Sequence, residues 1–320
     1  MVESTASKAA QCSFDLAVLS DAGTERPDNE DACGYFIESP QAALLAVADG
    51  IGGYEGGEIA SRMAVELTLD AYRQSPSAWG AATRLHRAMQ RANIEIHHRA
   101  IAVPALRRMG TTLTAAAIEG GRLSAAHVGD SRLYLLRRGR ILQITRDHTV
   151  VAEHVRTGLM TAVHARNHPE RSMLSRSMGH ELIVSADRFT MPLVQGDRLL
   201  LCSDGLYNVL DERELGRLLR VDDAAAACKA LIEAANALGS ADNLTAAVFM
   251  MNGATPFAEG GGKRWREWLE SLFARGAECD GHEPGWRGRR GTARSAVRVS
   301  GVAAADLTYA WIRGGGGLCQ

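Results

Sequence analysis

The chain has no CxxC pair. Its six cysteines, Cys12, Cys33, Cys202, Cys228, Cys279 and Cys319, are scattered, and several lie inside apolar runs. That distribution favours reduced thiols in a cytosolic setting. No apolar run approaches the roughly 18 residues that a membrane-crossing helix needs. No charged N-terminal segment leads into an apolar signal core either, so the sequence reads as cytoplasmic, without a transmembrane segment. Charge of one sign is also missing: the formal net charge is -1, which gives no overall pull towards nucleic acid or anionic membrane. Gly52, Gly53, Gly56 and Gly57 lack both a Walker lysine and GxGxxG spacing, which argues against a nucleotide loop. There is no internal repeat.

What is present is an ordinary globular composition. The 320 residues, 46% of them hydrophobic, suffice for one large domain or two small ones with a sizeable core. Short β-type runs are expected at Phe14 to Leu19, Cys33 to Ile37, Ala43 to Ala48, Thr111 to Ile118, Leu123 to Val128, Arg132 to Leu136, Leu199 to Cys202 and Leu244 to Met250. Gly-bearing turns at 119–121, 129–131 and 138–139 join several of them as antiparallel hairpins. Helical spacing recurs at Ala60, Met63, Leu67 and Ala71, at Leu85, Met89, Ala92 and Ile96, and at Cys228, Leu231, Ile232, Ala235 and Leu238, the last ending at Gly239. Strand clusters with separate helices, not regular βαβ alternation, predict a mixed α+β fold with mainly antiparallel sheets.

The pattern divides the chain into a lead at 1–11, a domain at 12–252 and a tail at 253–320. Within the domain, the polar segment 149–181 reads as a flap without a clear strand. The Gly/Arg-rich tail reads as disordered. Inside it, Trp265, Trp268, Leu269, Leu272 and Phe273, flanked by Lys263, Arg264 and Arg266, have the spacing of a short helix at 263–273 suited to a membrane surface or a partner.

Aspartates recur in five small-residue settings: RPDNED (26–31), ADGIGG (48–53), VGDSR (128–132), CSDGL (202–206) and ADN (241–243). Any one of them is ordinary turn chemistry. Together, with four expected to close strand-like runs, they point to one site. Clustered carboxylates repel unless cations hold them, and an all-oxygen ligand set suits magnesium or manganese.

In this order and at these separations the motifs resemble the PPM (PP2C-like) family of metal-dependent protein Ser/Thr phosphatases in its short bacterial form, over residues 12 to 251. The resemblance implies a four-layer α-β-β-α sandwich with a small flap, and two Mn2+ or Mg2+ ions between the sheets at one end. It assigns Asp49 as the bridging ligand, with the Gly50 carbonyl completing one ion. Asp204 and Asp242 would hold the first metal, and Glu30 or Asp31 the second. Asp130, with Asp204, would form a weaker third site. Arg26 becomes the phosphate clamp, since a guanidinium offers paired donors to two phosphate oxygens.

Two such cations, roughly 3.5 to 4 Å apart, acidify a bridging water into the attacking hydroxide and neutralise the phosphoryl oxygens. No phosphoenzyme is needed. This agrees with cysteines that lack a phosphate-binding loop and with the missing Ser-His-Asp context. Eukaryotic members carry a histidine after the DG pair to protonate the leaving alkoxide; Ile51 stands there in this chain, which leaves the general acid open. His127 reads as strand-end packing, His148 as a structural or carboxylate-orienting residue, His168 as a flap turn before Pro169, and 110–112 as a packed strand start. The implied partners are phosphoproteins, a Ser/Thr kinase and its substrates, and forkhead-associated proteins, met by a monomer. The rival readings are a catalytically silent phosphoprotein-binding or kinase-scaffolding module, and a metallohydrolase of small phosphoesters.

Overall fold

The computed structural model describes residues 14–52 and 55–253; the 1–11 lead, the tail from residue 254 and its 263–273 helix lie outside the described residues. Among the described residues, eleven strands form two sheets. The first takes β1 (Phe14–Asp21), β11 (Leu244–Met251), β10 (Arg198–Cys202), β7 (Arg132–Arg137) and β8 (Arg140–Gln143), in that order. In the second, β2 (Asp31–Ser39), β3 (Ala42–Ile51), β5 (Leu113–Glu119), β6 (Arg122–Val128) and β9 (Asp187–Pro192) lie side by side, and β4 (Gly110–Thr111) pairs with the end of β3. Every pairing between these strands is antiparallel.

Sequence alternation builds the layers. On β3, Ala43, Leu45 and Val47 join a central core with Leu199 and Leu201 of β10 and Ala247 and Phe249 of β11. The alternate residues Leu44, Ala46 and Ala48 pack outward against α1 (Glu55–Gln74) and α2 (Ala81–Ala102). On the other sheet, Leu200, Cys202, Ala246 and Val248 face outward onto α6 (Glu212–Leu218) and α7 (Ala224–Ala237). Both faces of these strands are buried, which is why they read as continuous apolar runs. The result is the expected α-β-β-α sandwich.

Differences from the sequence reading are local. The run at 111–118 is two strands, interrupted at Thr112, whose hydroxyl takes the Asp49 N–H (2.9 Å) while its own N–H goes to the Asp49 carbonyl (2.9 Å). β8, β9 and four short helices were not expected: α3 (Val150–Arg156), α4 (Ala162–Arg166), α5 (Asp204–Tyr207) and α6. The flap segment holds α3 and α4, capped by the Thr149 and Thr161 hydroxyls. It rejoins the sheet where Thr111 and Met178 exchange backbone hydrogen bonds.

Candidate metal centre

Period-two alternation delivers the site. Continuing 43, 45, 47 along β3 puts Asp49 on the face between the sheets, and on β2 Asp31 shares the face of Cys33, which packs on the central core. The register sets Asp31 directly opposite Asp49. Like charges at such a position destabilise a sheet, so this pairing calls for a cation. Ser203, two residues beyond Leu201, and Thr245, two before Ala247, extend the same face from the other sheet. Ser203 Oγ donates to Asp31 Oδ2 (2.5 Å) and accepts the Thr245 N–H (3.1 Å).

The other expected residues gather at this end of the sandwich. Asp204 opens α5 directly after β10, and its Oδ2 accepts from Asn208 (3.0 Å). Asp130 follows β6; its carbonyl accepts from the Tyr207 hydroxyl (3.1 Å), and Arg132 stacks on the Tyr207 ring (3.6 Å) while gripping Asp147 with two hydrogen bonds (3.0 and 2.7 Å). Three of the five aspartates sit at strand ends, not the expected four: Asp31 opens β2 and Asp242 precedes β11. In antiparallel sheets the start of one strand lies beside the end of its neighbour, so all five aspartates still reach the same pole.

Arg26 lies half exposed at the rim, with Nη2 on both carboxylate oxygens of Asp242 (3.2 and 3.1 Å) and Nε donating to the Ala241 carbonyl (3.3 Å). The carboxylate of Glu30 lies against Gly57 in the first turn of α1. Gly50 has no room for a side chain: an added Cβ would lie 2.3 Å from the Gly57 carbonyl oxygen and 2.7 Å from that of Glu30. Glycine there lets three backbone segments meet behind the carboxylates.

The electrostatics agree. Burial, and then the charges of the neighbouring aspartates, push Asp49 well above the usual carboxylate range. Asp31 and Asp204 are raised, by burial first. Asp130 is pushed up to about 8, by burial and then by Asp204. Glu30 is raised as well, mainly by burial. Among the described residues, no three His, Cys, Asp or Glu side chains are drawn into a ready-made cation cage. Asp31 is turned to Ser203 and Asp242 to Arg26. The donor chemistry nevertheless fits hard divalent ions: oxygen ligands only, mutually repelling, on a face where two carboxylates are held opposite each other.

Sequence reasoning missed the residues that fasten the motifs together. Asn243 accepts the Glu30 N–H (2.9 Å) and donates to the carbonyls of Ala22 and Asp28 (2.9 Å each), tying RPDNED to ADN. Thr111 Oγ1 donates to the Asp49 carbonyl (2.7 Å). Their adjacency to the aspartates was the only available signal.

His127 and His148 pack ring against ring, centroids 4.7 Å apart and planes tilted by 39°, both buried. His148 Nδ1 accepts the Gly129 N–H (3.2 Å), a bond to the peptide before Asp130, and its Nε2 lies 3.4 Å from Asp187 Oδ2. His127 contacts the Thr114 hydroxyl (2.8 Å) and the Arg146 carbonyl (3.0 Å). Its pKa is pushed down to about 4, by burial and then by His148, against the opposing pull of Asp147 and Asp187. The unfolded chain takes up this proton near pH 6.5, so stability is full above that pH and falls as pH drops towards the folded value. Between pH 7 and pH 5 the His127 contribution is about 2 kcal/mol. The raised aspartates of the metal-free protein act with the opposite sign. The readout is therefore the difference in urea stability between wild type and His127→Gln, which should shrink or reverse by that amount as pH falls. A constant difference would show that His127 takes up its proton at the same pH in the fold as in the unfolded chain.

Residues 25–249 match the family model described as protein phosphatase 2C. The chain is 39% identical over 229 residues to the serine/threonine phosphatase stp of Listeria innocua, covering 70% of this chain and 91% of that protein. It superposes on the crystal structure of the Mycobacterium tuberculosis serine/threonine phosphatase PstP/Ppp with a TM-score of 0.68 and 36% identity, over 75% of this chain and 99% of that one. The catalytic domain of PstP in complex with two manganese ions gives a TM-score of 0.66 at 34% identity, over 75% and 98% of the two chains. With a match running through most of its length, the chain belongs to the protein phosphatase 2C family.

Proposed function

We propose that this phosphatase hydrolyses phosphoserine and phosphothreonine in proteins by direct attack of water, using Mn2+ or Mg2+. The observation that carries the reading is the face-to-face Asp31–Asp49 pair, with Asp130, Asp204 and Asp242 at the same pole of the sandwich. When bound, two divalent cations supply an acidified water and positive charge against the phosphoryl oxygens. Asp49, with the Gly50 carbonyl beside it, would help to hold both; Asp204 and Asp242 would hold one, and Asp31 or Glu30 the other. Asp130 and Asp204 would take a weaker third ion. Arg26, already at the rim, turns its paired N–H donors to two phosphate oxygens and orients the ester for in-line displacement.

A protein-sized substrate suits the flap and the segment just after it, where Leu159, Val163 and Ile183 are 77%, 75% and 73% exposed. In the cytoplasm such an enzyme opposes a bacterial Ser/Thr kinase, with forkhead-associated proteins among the phosphoproteins it meets. No helix among the described residues is long and apolar enough to cross a membrane. Phosphothreonine sites that accumulate when the chain is inactivated would identify the targets, and an unchanged phosphoproteome would remove this assignment.

The direct test is turnover of a phosphothreonine peptide by metal-stripped protein, titrated with Mn2+ and Mg2+ and repeated with Asp204→Ala. Turnover should appear only with metal and fall at least about a hundredfold in the variant. Metal-independent turnover, or none in a folded, metal-loaded protein, would overturn the reading.

A further inference from the structure

Departure of a serine or threonine oxygen from phosphorus leaves an alkoxide, a strong base, so the chain should offer a proton donor near Asp49. Ile51 has none to give. Among the described residues, His127 and His148 are buried, His86, His97 and His98 belong to α2, His154 and His164 to the flap helices, and His168 Nδ1 takes the Glu170 N–H (3.2 Å) in the turn after α4.

His180 differs from all of these. It is exposed, yet its Cε1–Nε2 edge fills the place a Gly110 side chain would take, 3.0 and 3.1 Å from an ideal Cβ. Gly110 pairs with Ile51, two positions beyond Asp49 on β3. Residues paired across a sheet share a face, and so do residues two apart on a strand. The imidazole therefore lies on the face of the β3–β4 pair that presents Asp49.

Its placement is secured from several sides. Thr111 and Met178 exchange backbone hydrogen bonds (3.2 and 2.8 Å), and the Gly179 N–H donates to Asn93 Oδ1 (2.8 Å). The buried Ser177 hydroxyl meets His180 Nδ1 at 2.6 Å, which leaves Nε2, the nitrogen lying against Gly110, as the one to donate. Glycine at 110 suits this contact, since an added Cβ would press on the ring edge and on the Met178 carbonyl oxygen (3.1 Å).

We propose that His180 is the catalytic proton donor to the leaving serine or threonine oxygen. The inference rests on the phosphatase reading above. Water loses a proton to solvent and its oxygen bonds to phosphorus. The P–O bond to the side chain breaks, its electron pair goes to the departing oxygen, and that oxygen takes the Nε2 proton of the protonated imidazole. The ring regains a proton from solvent, so the sum is phosphoester plus water giving alcohol plus inorganic phosphate.

The test compares leaving groups. Wild type, His180→Asn and His180→Gln are assayed with Mn2+ on a phosphothreonine peptide and on p-nitrophenyl phosphate, whose phenolate departs without a proton. The variants should lose about a hundredfold in kcat on the peptide and less than about threefold on the aryl ester. Mn2+ affinity by calorimetry should not change, which separates this role from damage to the metal centre. Equal losses on both substrates, no loss on the peptide, or weakened Mn2+ binding would overturn the proton donor while wild-type turnover still supports the phosphatase. A wild type inactive on both substrates would remove the phosphatase reading and the donor with it.

Discussion

Asp49→Asn should lower phosphopeptide turnover by at least about a thousandfold, and it should make the metal-free protein more stable. The two effects have one cause. Asp49 faces Asp31 across the β2–β3 ladder, and burial together with the surrounding aspartates holds its carboxyl well above the usual range. An ionised carboxylate at that point is unfavourable without a cation. The amide has nearly the same shape. The fold's hold on this residue is through its backbone, whose carbonyl accepts from Thr111 Oγ1 and the Thr112 N–H, so the strand end stays in place. Wild type should therefore melt at higher temperature as Mn2+ is added, since a ligand bound only by the folded state stabilises it. The variant should start higher and respond little. Retained turnover in Asp49→Asn with an unchanged response to Mn2+ would take Asp49 out of the centre.

That carboxylates and not hydroxyls were legible in the sequence has a physical reason. An aspartate between glycine and serine at the end of an apolar run is conspicuous, and the runs themselves, such as 42–48 and 244–251, are marked by burial on both faces. Ser203, Thr112 and Asn243 look like ordinary strand-end residues. What makes them matter is a partner elsewhere in the chain: Ser203 bonds a residue 172 positions away, Thr112 one 63 away and the Asn243 side chain one 213 away. Local pattern carries no trace of such pairs. β9 escaped for a different reason, since DRFTMP alternates exposed and covered residues on a sheet edge and ends in proline. His180 lies in a polar stretch with no periodicity, and only the pairing of Thr111 with Met178 brings it to Gly110.

The largest stability effect should come from the opposite pole. Arg137 ends β7 and Asp197 precedes β10; their side chains are 9% and 1% exposed and meet in two hydrogen bonds (2.7 and 2.5 Å). Asp197 also accepts the Val194 N–H (2.8 Å), its carbonyl accepts the Met251 N–H (2.9 Å), and Arg137 donates to the Pro192 carbonyl (2.9 Å). The pair thus ties the ends of β7, β9, β10 and β11. Asp197→Ala leaves a buried guanidinium without its carboxylate, at a cost of about 3 to 5 kcal/mol. For a domain of this size the melting temperature should fall by about 10 °C. Turnover per folded molecule at low temperature should be unchanged, because β10 runs from Asp197 at one pole to Asp204 at the other. The double variant Arg137→Met with Asp197→Leu should recover much of the loss, since a buried ion pair is worth little more than well-packed apolar groups. A single variant costing under about 1 kcal/mol would mean that solvent reaches the guanidinium and that the strand ends are held by their backbone hydrogen bonds alone.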